Sequence, residues 1–259
     1  MSSEFTNIRF QIQDRVARVT FARPPLNIFN IAMMREVGEA IDRCAHRDVV
    51  AIVFDAAEGT KAFSAGVAVE EHAPETVFQM LDSFHNIFRL LTQISKATIA
   101  VVDGPALGGG CELVAGCDIV IASEKARFGQ PEIKLGVFPP VAAILLSRIV
   151  GEKKAREMIL LGEMIDANEA LRFGLVNYVV LSSDLEQKTT SVLAKLRELS
   201  SSSVTMTHAA LELGAAGGDL DSALEKLEDF YLNDLLKTED AQEGVRAFME
   251  KRKPVWRNK

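Results

Sequence analysis

Three short and almost uninterrupted apolar runs, Val49 to Phe54, Ala97 to Val102 and Asp118 to Ala122, alternate with segments whose apolar residues recur at helical spacing. A strand that is apolar on both faces must be covered on both, and strands joined through helices run parallel. The alternation therefore predicts an α/β fold around a largely parallel, buried sheet. The helical segments are Ile31 to Ala45 (Met34, Val37, Ala40, Ile41 and Cys44 on one stripe), Thr76 to Ile94 and Gly109 to Ala115. Upstream, Ile8 to Gln13 and Arg15 to Ala22 alternate apolar and polar residues around Asp14, the pattern of a hairpin. From Val141 onward the patterns are helical, apart from the apolar Leu175 to Leu181, and Asp166-Ala-Asn-Glu169 reads as a capping box. Gly214, Gly217 and Gly218 punctuate these helices and predict a hinge. The expected division is a core over residues 1–198 and a helical C-terminal region over 199–259.

Several function classes fall away on composition. The longest charge-free run outside the glycine-rich segment, Leu135 to Ser147, is broken by Pro139 and Pro140 and is shorter than the roughly 18 residues a membrane span needs. The first residues, Met-Ser-Ser-Glu-Phe-Thr-Asn, lack the basic and apolar regions of a secretory signal, so a cytoplasmic location is expected. Cys44, Cys111 and Cys117 are odd in number and lack CxxC spacing, which argues against disulfides and structural zinc. They are expected to be buried thiols. His46, His72, His85 and His208 form no HExxH or other closely spaced ligand set, so no metal is expected. The net charge of −7 disfavours nucleic acid and anionic membranes as partners, while leaving room for a local basic patch that holds a phosphate.

The chemistry concentrates in Gly104 to Cys117, where Glu112 is the single carboxylate among fourteen residues. A carboxylate in apolar surroundings is costly and is tolerated chiefly when it is hydrogen-bonded or used, which makes Glu112 a candidate acid or base. The alternative is a Glu at the exposed edge of a short helix. Gly108 to Gly110 precede that helix, so unhindered N–H groups at its positive end can hold an anion; equally, the glycines can serve close packing. Neither GxGxxG nor a P-loop fits the triplet. Glu132 lies in a loop, Phe128-Gly-Gln-Pro-Glu132, one strand and turn later. It is either a second carboxylate facing Glu112 across a pocket or a solvated loop residue. Lys61-Ala-Phe-Ser-Ala-Gly-Val-Ala-Val69 is a small-residue loop able to supply a second N–H to the same anion, or an ordinary buried turn. No GxSxG elbow supports a serine nucleophile.

These residues resemble the crotonase (enoyl-CoA hydratase/isomerase) superfamily over nearly the whole chain. The marks are Ala62-Phe-Ser-Ala-Gly66, Ala106-Leu-Gly-Gly-Gly-Cys-Glu112, Cys117-Asp-Ile-Val-Ile-Ala122, Phe128-Gly-Gln-Pro-Glu-Ile-Lys-Leu-Gly136 and Ala247-Phe-Met-Glu-Lys-Arg-Lys253. The resemblance implies a crotonase-like spiral of ββα turns with a C-terminal helical trimerisation domain, and trimers often stacked into hexamers. It implies acyl-CoA thioester substrates and no separate cofactor, coenzyme A arriving as part of the substrate. Carried over by motif, the oxyanion-hole N–H groups belong to Val67 and Gly109, and Glu112 and Glu132 fall on the two catalytic glutamates of the hydratases. Ala65 joins the substrate-binding residues. Phe248 and Lys251 fall where a neighbouring subunit approaches the CoA, with Lys251 a phosphate contact.

The sequence departs from the superfamily pattern in two places. The usual Gly-Ala-Asp is Gly66-Val67-Ala68, which enlarges the oxyanion-loop residue and removes a carboxylate. The usual glycine-rich run after Leu135-Gly136 is Val137-Phe138-Pro139-Pro140-Val141-Ala142-Ala143, which implies a stiffer, more apolar acyl pocket walled by Phe138, Pro139 and Pro140. With His72 and Phe84-His85-Asn-Ile-Phe-Arg-Leu90, these segments most resemble cyclohexa-1,5-diene-1-carbonyl-CoA hydratases of anaerobic aromatic degradation. The expectation is a lyase that hydrates an enoyl- or dienoyl-CoA; the alternatives are a general short-chain enoyl-CoA hydratase, an isomerase, or a non-catalytic binding protein on the same fold.

Overall fold

The computed structural model describes residues 5–215 and 218–259, so Gly217 of the predicted hinge and the first four residues of the chain lie outside the described residues. β1 (Ile8–Gln13) and β2 (Val16–Phe21) pair antiparallel across Asp14 and Arg15, whose positive φ angles of 48° and 68° are those of a two-residue hairpin turn. α1 (Ile31–Asp42) starts where the Asn30 side chain accepts a hydrogen bond from Met33 N at 2.9 Å, a cap for one orphan amide. It ends three residues earlier than its apolar stripe, because Arg43–Ala45 tighten into a 3-10 turn. β3 (Ala51–Ala56) sits two residues later than the apolar run that predicted it. α2 (Val77–Ile94) and β4 (Ala97–Val102) follow.

One unit then repeats. β4 leads to β5 (Pro105–Leu107) and α3 (Gly109–Ala115); β6 (Ile119–Ser123) leads to β7 (Arg127–Gly129) and a 3-10 turn, Pro131–Leu135. In each unit the first strand joins a large sheet, the second joins a small sheet, and a helical segment closes the turn. α4 (Pro140–Val150), α5 (Glu152–Leu161), β8 (Met164–Asp166), α6 (Ala167–Arg172), β9 (Tyr178–Val180) and α7 (Leu185–Arg197) complete the core. The large sheet has the order β1-β2-β3-β4-β6-β9, parallel from β2 onward, and the small sheet the order β5-β7-β8.

The predicted two-sided burial holds. Ile52, Phe54, Ala100 and Val102 pack with Met33, Val37, Phe84, Ile87 and Leu113 on one face, while Val53, Ile99 and Ile121 pack with Leu185, Val192 and Leu193 of α7 on the other. Asp166 caps α6 by accepting from Glu169 N at 2.8 Å, as half of the predicted box; the Glu169 carboxylate turns instead to Lys154 Nζ at 2.6 Å. Beyond the core come α8 (Ser201–Ala215), α9 (Leu220–Asn233) and α10 (Glu239–Met249), with Gly214 inside α8 and Gly218 just ahead of α9.

Candidate active site

The site forms where the 61–69 loop meets the start of α3, and glycine is required for the meeting. A Cβ on Gly110 would lie 2.6 Å from Ser64 O, and one on Gly109 would lie 2.9 Å from Val67 Cγ2 and 3.0 Å from Phe84 Cζ. Ser64 is locked by donating from Oγ to Asn27 O at 2.7 Å, and Leu107 N donates to Ser64 O at 2.9 Å. Phe29 N donates to Gly66 O and Ala68 N to Phe29 O, at 2.8 and 2.9 Å, which takes up the groups on either side of Val67 and leaves the Val67 N–H outside that ladder. The Gly109 N–H, first in α3, has no intrahelical carbonyl to meet. Val67 and Gly109 therefore bring to one place two amides without a backbone partner among the described residues, in the lining of a cavity of about 530 Å³.

Both glutamates line that cavity. Glu112 is 3% exposed and its Oε1 accepts from Ala142 N at 2.9 Å. Ala142 belongs to the first turn of α4, whose amides lack intrahelical partners. Pro139 precedes that helix and Pro140 begins it, a position that suits a residue with fixed φ and no N–H. The proline pair thus walls the pocket and also aims the amide that holds Glu112. Burial pushes the Glu112 carboxyl up to about 7, overriding the downward pull of the Ala142 hydrogen bond, and the charge of Glu132 adds to the rise. Burial also raises Glu132 to about 7. The Glu132 carboxylate lies against the α3 entrance, since a Cβ on Gly108 would sit 2.6 Å from its Oε1. The buried Gln130 amide, oriented with its nitrogen toward Glu132, donates to both carboxylate oxygens at 3.2 and 3.3 Å. Two carboxyls raised in this way in one cavity are suited to divide the work, one accepting a proton and the other giving one.

Ala65, Phe138, Pro139 and Pro140 line the same cavity. His72 lines it as well, with Nδ1 3.1 Å from Ala68 O. Phe248 and Lys251 are not brought to it: Phe248 is 85% exposed near the end of α10, and Lys251 follows in a left-handed turn. Sequence reasoning missed Met80, Leu81 and His85 of α2, and Lys134. The sequence announces a helix over Thr76 to Ile94 without marking which of its residues face inward, and His85 enters only within the Phe84 to Leu90 resemblance. Cys44 and Cys111 are buried and Cys117 half-buried; burial pushes the Cys44 and Cys111 thiols up to about 12, far from a reactive thiolate. Among the described residues no cluster of three potential metal ligands occurs, and no helix is long and apolar enough to cross a membrane.

The sequence profile described as enoyl-CoA hydratase/isomerase matches residues 11–259. The chain belongs to the enoyl-CoA hydratase/isomerase family. It is 34% identical over 248 residues to a cyclohexa-1,5-dienecarbonyl-CoA hydratase of Thauera aromatica, covering 93% of each chain. It is 36% identical over 257 residues to a short-chain-enoyl-CoA hydratase of Clostridium acetobutylicum, covering 96% of this chain and 97% of that one. A crystal structure of an enoyl-CoA hydratase from Mycobacterium smegmatis superposes with a TM-score of 0.89 at 31% identity, covering 97% of this chain and 99% of the other. The two-sheet spiral is the crotonase fold of these enzymes, and family membership supports a hydro-lyase of enoyl-CoA hydratase type that binds acyl-CoA.

Proposed function

We propose that the protein adds water to a cyclic, conjugated dienoyl-CoA, cyclohexa-1,5-diene-1-carbonyl-CoA, to give a hydroxycyclohexene-carbonyl-CoA. The observation that carries hydration is the pair Glu112 and Glu132 in one cavity beside the Val67 and Gly109 amides. One glutamate takes a proton from water as the water oxygen bonds to the β-carbon. The charge passed to the thioester oxygen is held by the two amides, each donor of this kind being worth about 2.7 to 4 kcal/mol in comparable sites. The other glutamate gives its proton to carbon. In a dienoyl ring the charge also spreads through the second double bond, so hydroxyl and proton end at opposite termini of the diene. An isomerase moves a proton with a single carboxylate, and the second, half-buried carboxylate in the same cavity favours hydration.

The wall Phe138-Pro139-Pro140 supports the ring. Rigid apolar groups suit a preformed flat ring, which loses less rotamer entropy on binding than a flexible chain. The Thauera aromatica relative is named for this cyclic diene, and the Clostridium acetobutylicum relative for short-chain substrates. Comparing kcat/KM for the cyclic diene and for crotonyl-CoA separates the two, because the ratio reports differential transition-state binding. A clear preference for the diene is expected. Equal or better activity on crotonyl-CoA would overturn the cyclic assignment and leave hydration standing. We further propose that the protein assembles as a trimer or hexamer, in which Phe248 and Lys251 of a neighbouring subunit approach the bound CoA.

A further inference from the structure

His85 occupies a singular place in the cavity system. It and Pro140 are the two residues common to the linings of the active-site cavity and of a second cavity of 400 Å³ behind it, enclosed by α2, the end of α3, α4 and α8. His85 Nε2 is sealed from solvent and has no hydrogen-bond partner among the described residues. An unmet buried nitrogen costs the desolvation of that group, roughly 1–3 kcal/mol, so a chain that keeps one beside a ligand cavity has a use for it. Burial, with Arg89 nearby, lowers its pKa, so the ring is neutral at pH 7 and its Nε2 is either a donor or an acceptor according to tautomer. Beyond the junction, the second cavity carries a second buried imidazole nitrogen without a partner among the described residues, His208 Nδ1. The other ring nitrogen, His208 Nε2, lies 3.1 Å from Asp118 Oδ1, and that hydrogen bond raises the His208 pKa. His208 Nδ1 thus offers a second polar contact in a cavity also walled by Phe88, Val141, Ile144 and Leu145.

We propose that His85 determines substrate specificity by hydrogen-bonding a hydroxyl or keto oxygen carried on the acyl ring, on the side away from the thioester. The inference rests on the ring-thioester reading of the cavity and extends it: beside the unsubstituted diene, the cavity takes rings that carry an oxygen and holds them more tightly, with the substituent reaching past Pro140 into the second cavity. A hydroxyl suits both settings of Nε2, because it can donate as well as accept. Glutamates 112 and 132 act on the reacting carbons, whereas His85 acts on a substituent that does not react, so it selects among substrates and takes no part in the proton transfers.

The test uses binding of unreactive thioesters, which needs no turnover. Cyclohexane-carbonyl-CoA and its 3- and 4-hydroxy derivatives are titrated calorimetrically against the wild-type protein, His85→Phe and His85→Gln. The wild-type protein should bind one of the hydroxylated rings about tenfold more tightly than the plain ring, the worth of one net hydrogen bond. In His85→Phe, which keeps a flat ring but no polar atom, the ratio should fall to near one. In His85→Gln, which restores a polar group of similar reach, part of it should return. A wild-type ratio near one for both derivatives, or a preference that survives His85→Phe, would overturn the proposal. The cyclic-diene reading fails separately, on turnover of the diene against crotonyl-CoA.

Discussion

Helices α3 and α9 lie at opposite extremes of the same chain. All seven residues of α3 are buried, including its one carboxylate, while none of the fourteen residues of α9 is, although Leu220, Leu224, Tyr231 and Leu232 are among them. In α3 the surroundings are finished: Gly109 and Gly110 admit the 61–69 loop, Phe84 covers one side, and Glu112 is held by α4. In α9 an apolar stripe faces outward without cover. A residue that should be outside is sealed in beside the candidate site, and residues that should be inside are left exposed. The enclosure of the site is therefore complete within the single chain, and on the proposed assembly the C-terminal region would gain its cover from a second copy.

The sharpest way to break this contrast is at the two carboxylates of the cavity. Glu112→Gln and Glu132→Gln should each lower turnover by about 10² to 10⁴, the usual worth of a general acid or base, while calorimetry still registers acyl-CoA binding. The double variant should lose less than the product of the two, because groups acting as a unit are not additive. Near-native turnover in either single variant would remove the two-glutamate mechanism.

Glycine substitutions sharpen the same contrast through stability. Gly110→Ala places a methyl against the Ser64 backbone and should cost about 1–3 kcal/mol, read as a lowered denaturant midpoint. Gly214→Ala, in the loosely packed α8, meets only Leu227 Cδ1 at 3.9 Å and should stabilise by up to about 1 kcal/mol through helix propensity. Equal effects at the two positions would show that α3 is no more tightly enclosed than α8.

A smaller effect appears with pH. The Glu112 carboxyl titrates near 7 when folded and at its ordinary 4.5 when unfolded, so between these values the folded chain holds more protons. Stability contributed by the protonated form is fully present below about pH 4.5 and is lost as pH rises through about 7. Glu112→Gln should therefore flatten the decline in melting temperature between pH 5 and pH 8. A decline of unchanged slope would mean that the carboxyl is not the buried acid described above. The smallest effect on the folded chain itself is expected in α9. Leu224→Glu with Tyr231→Glu should shift intrinsic stability by no more than about 0.5 kcal/mol per site, yet reduce the particle in light scattering to a 28.3 kDa monomer. A wild-type protein that is already monomeric would contradict the assembly.

Much of this was legible beforehand because it is local. β3, β4 and β6 of the large sheet announce themselves by nearly continuous apolar runs and β1 and β2 by alternation, and Glu112 stands out as the lone carboxylate among glycines and aliphatics. β5, β7 and β8 are three residues each, too short for any periodicity, and they exist because their neighbours in the small sheet supply hydrogen bonds. Glu132 read equally well as a solvated loop residue, since its burial comes from α3 and from Gln130 and not from its own segment. The prolines read as a pocket wall; that Pro140 also starts the helix whose amide holds Glu112 is a tertiary fact. His85 was visible only as part of the Phe84 to Leu90 resemblance, and its missing partner was not, because that is a property of everything around a residue.

The most direct test of the account is the mass gained by the thioester when the wild-type protein is added to cyclohexa-1,5-diene-1-carbonyl-CoA and, separately, to crotonyl-CoA. The account predicts rapid conversion of the diene to a product one water heavier, whose remaining ring double bond is still conjugated with the thioester, and no such product with Glu112→Gln or Glu132→Gln on the same timescale. Unchanged mass with both thioesters would contradict the claim that this cavity adds water.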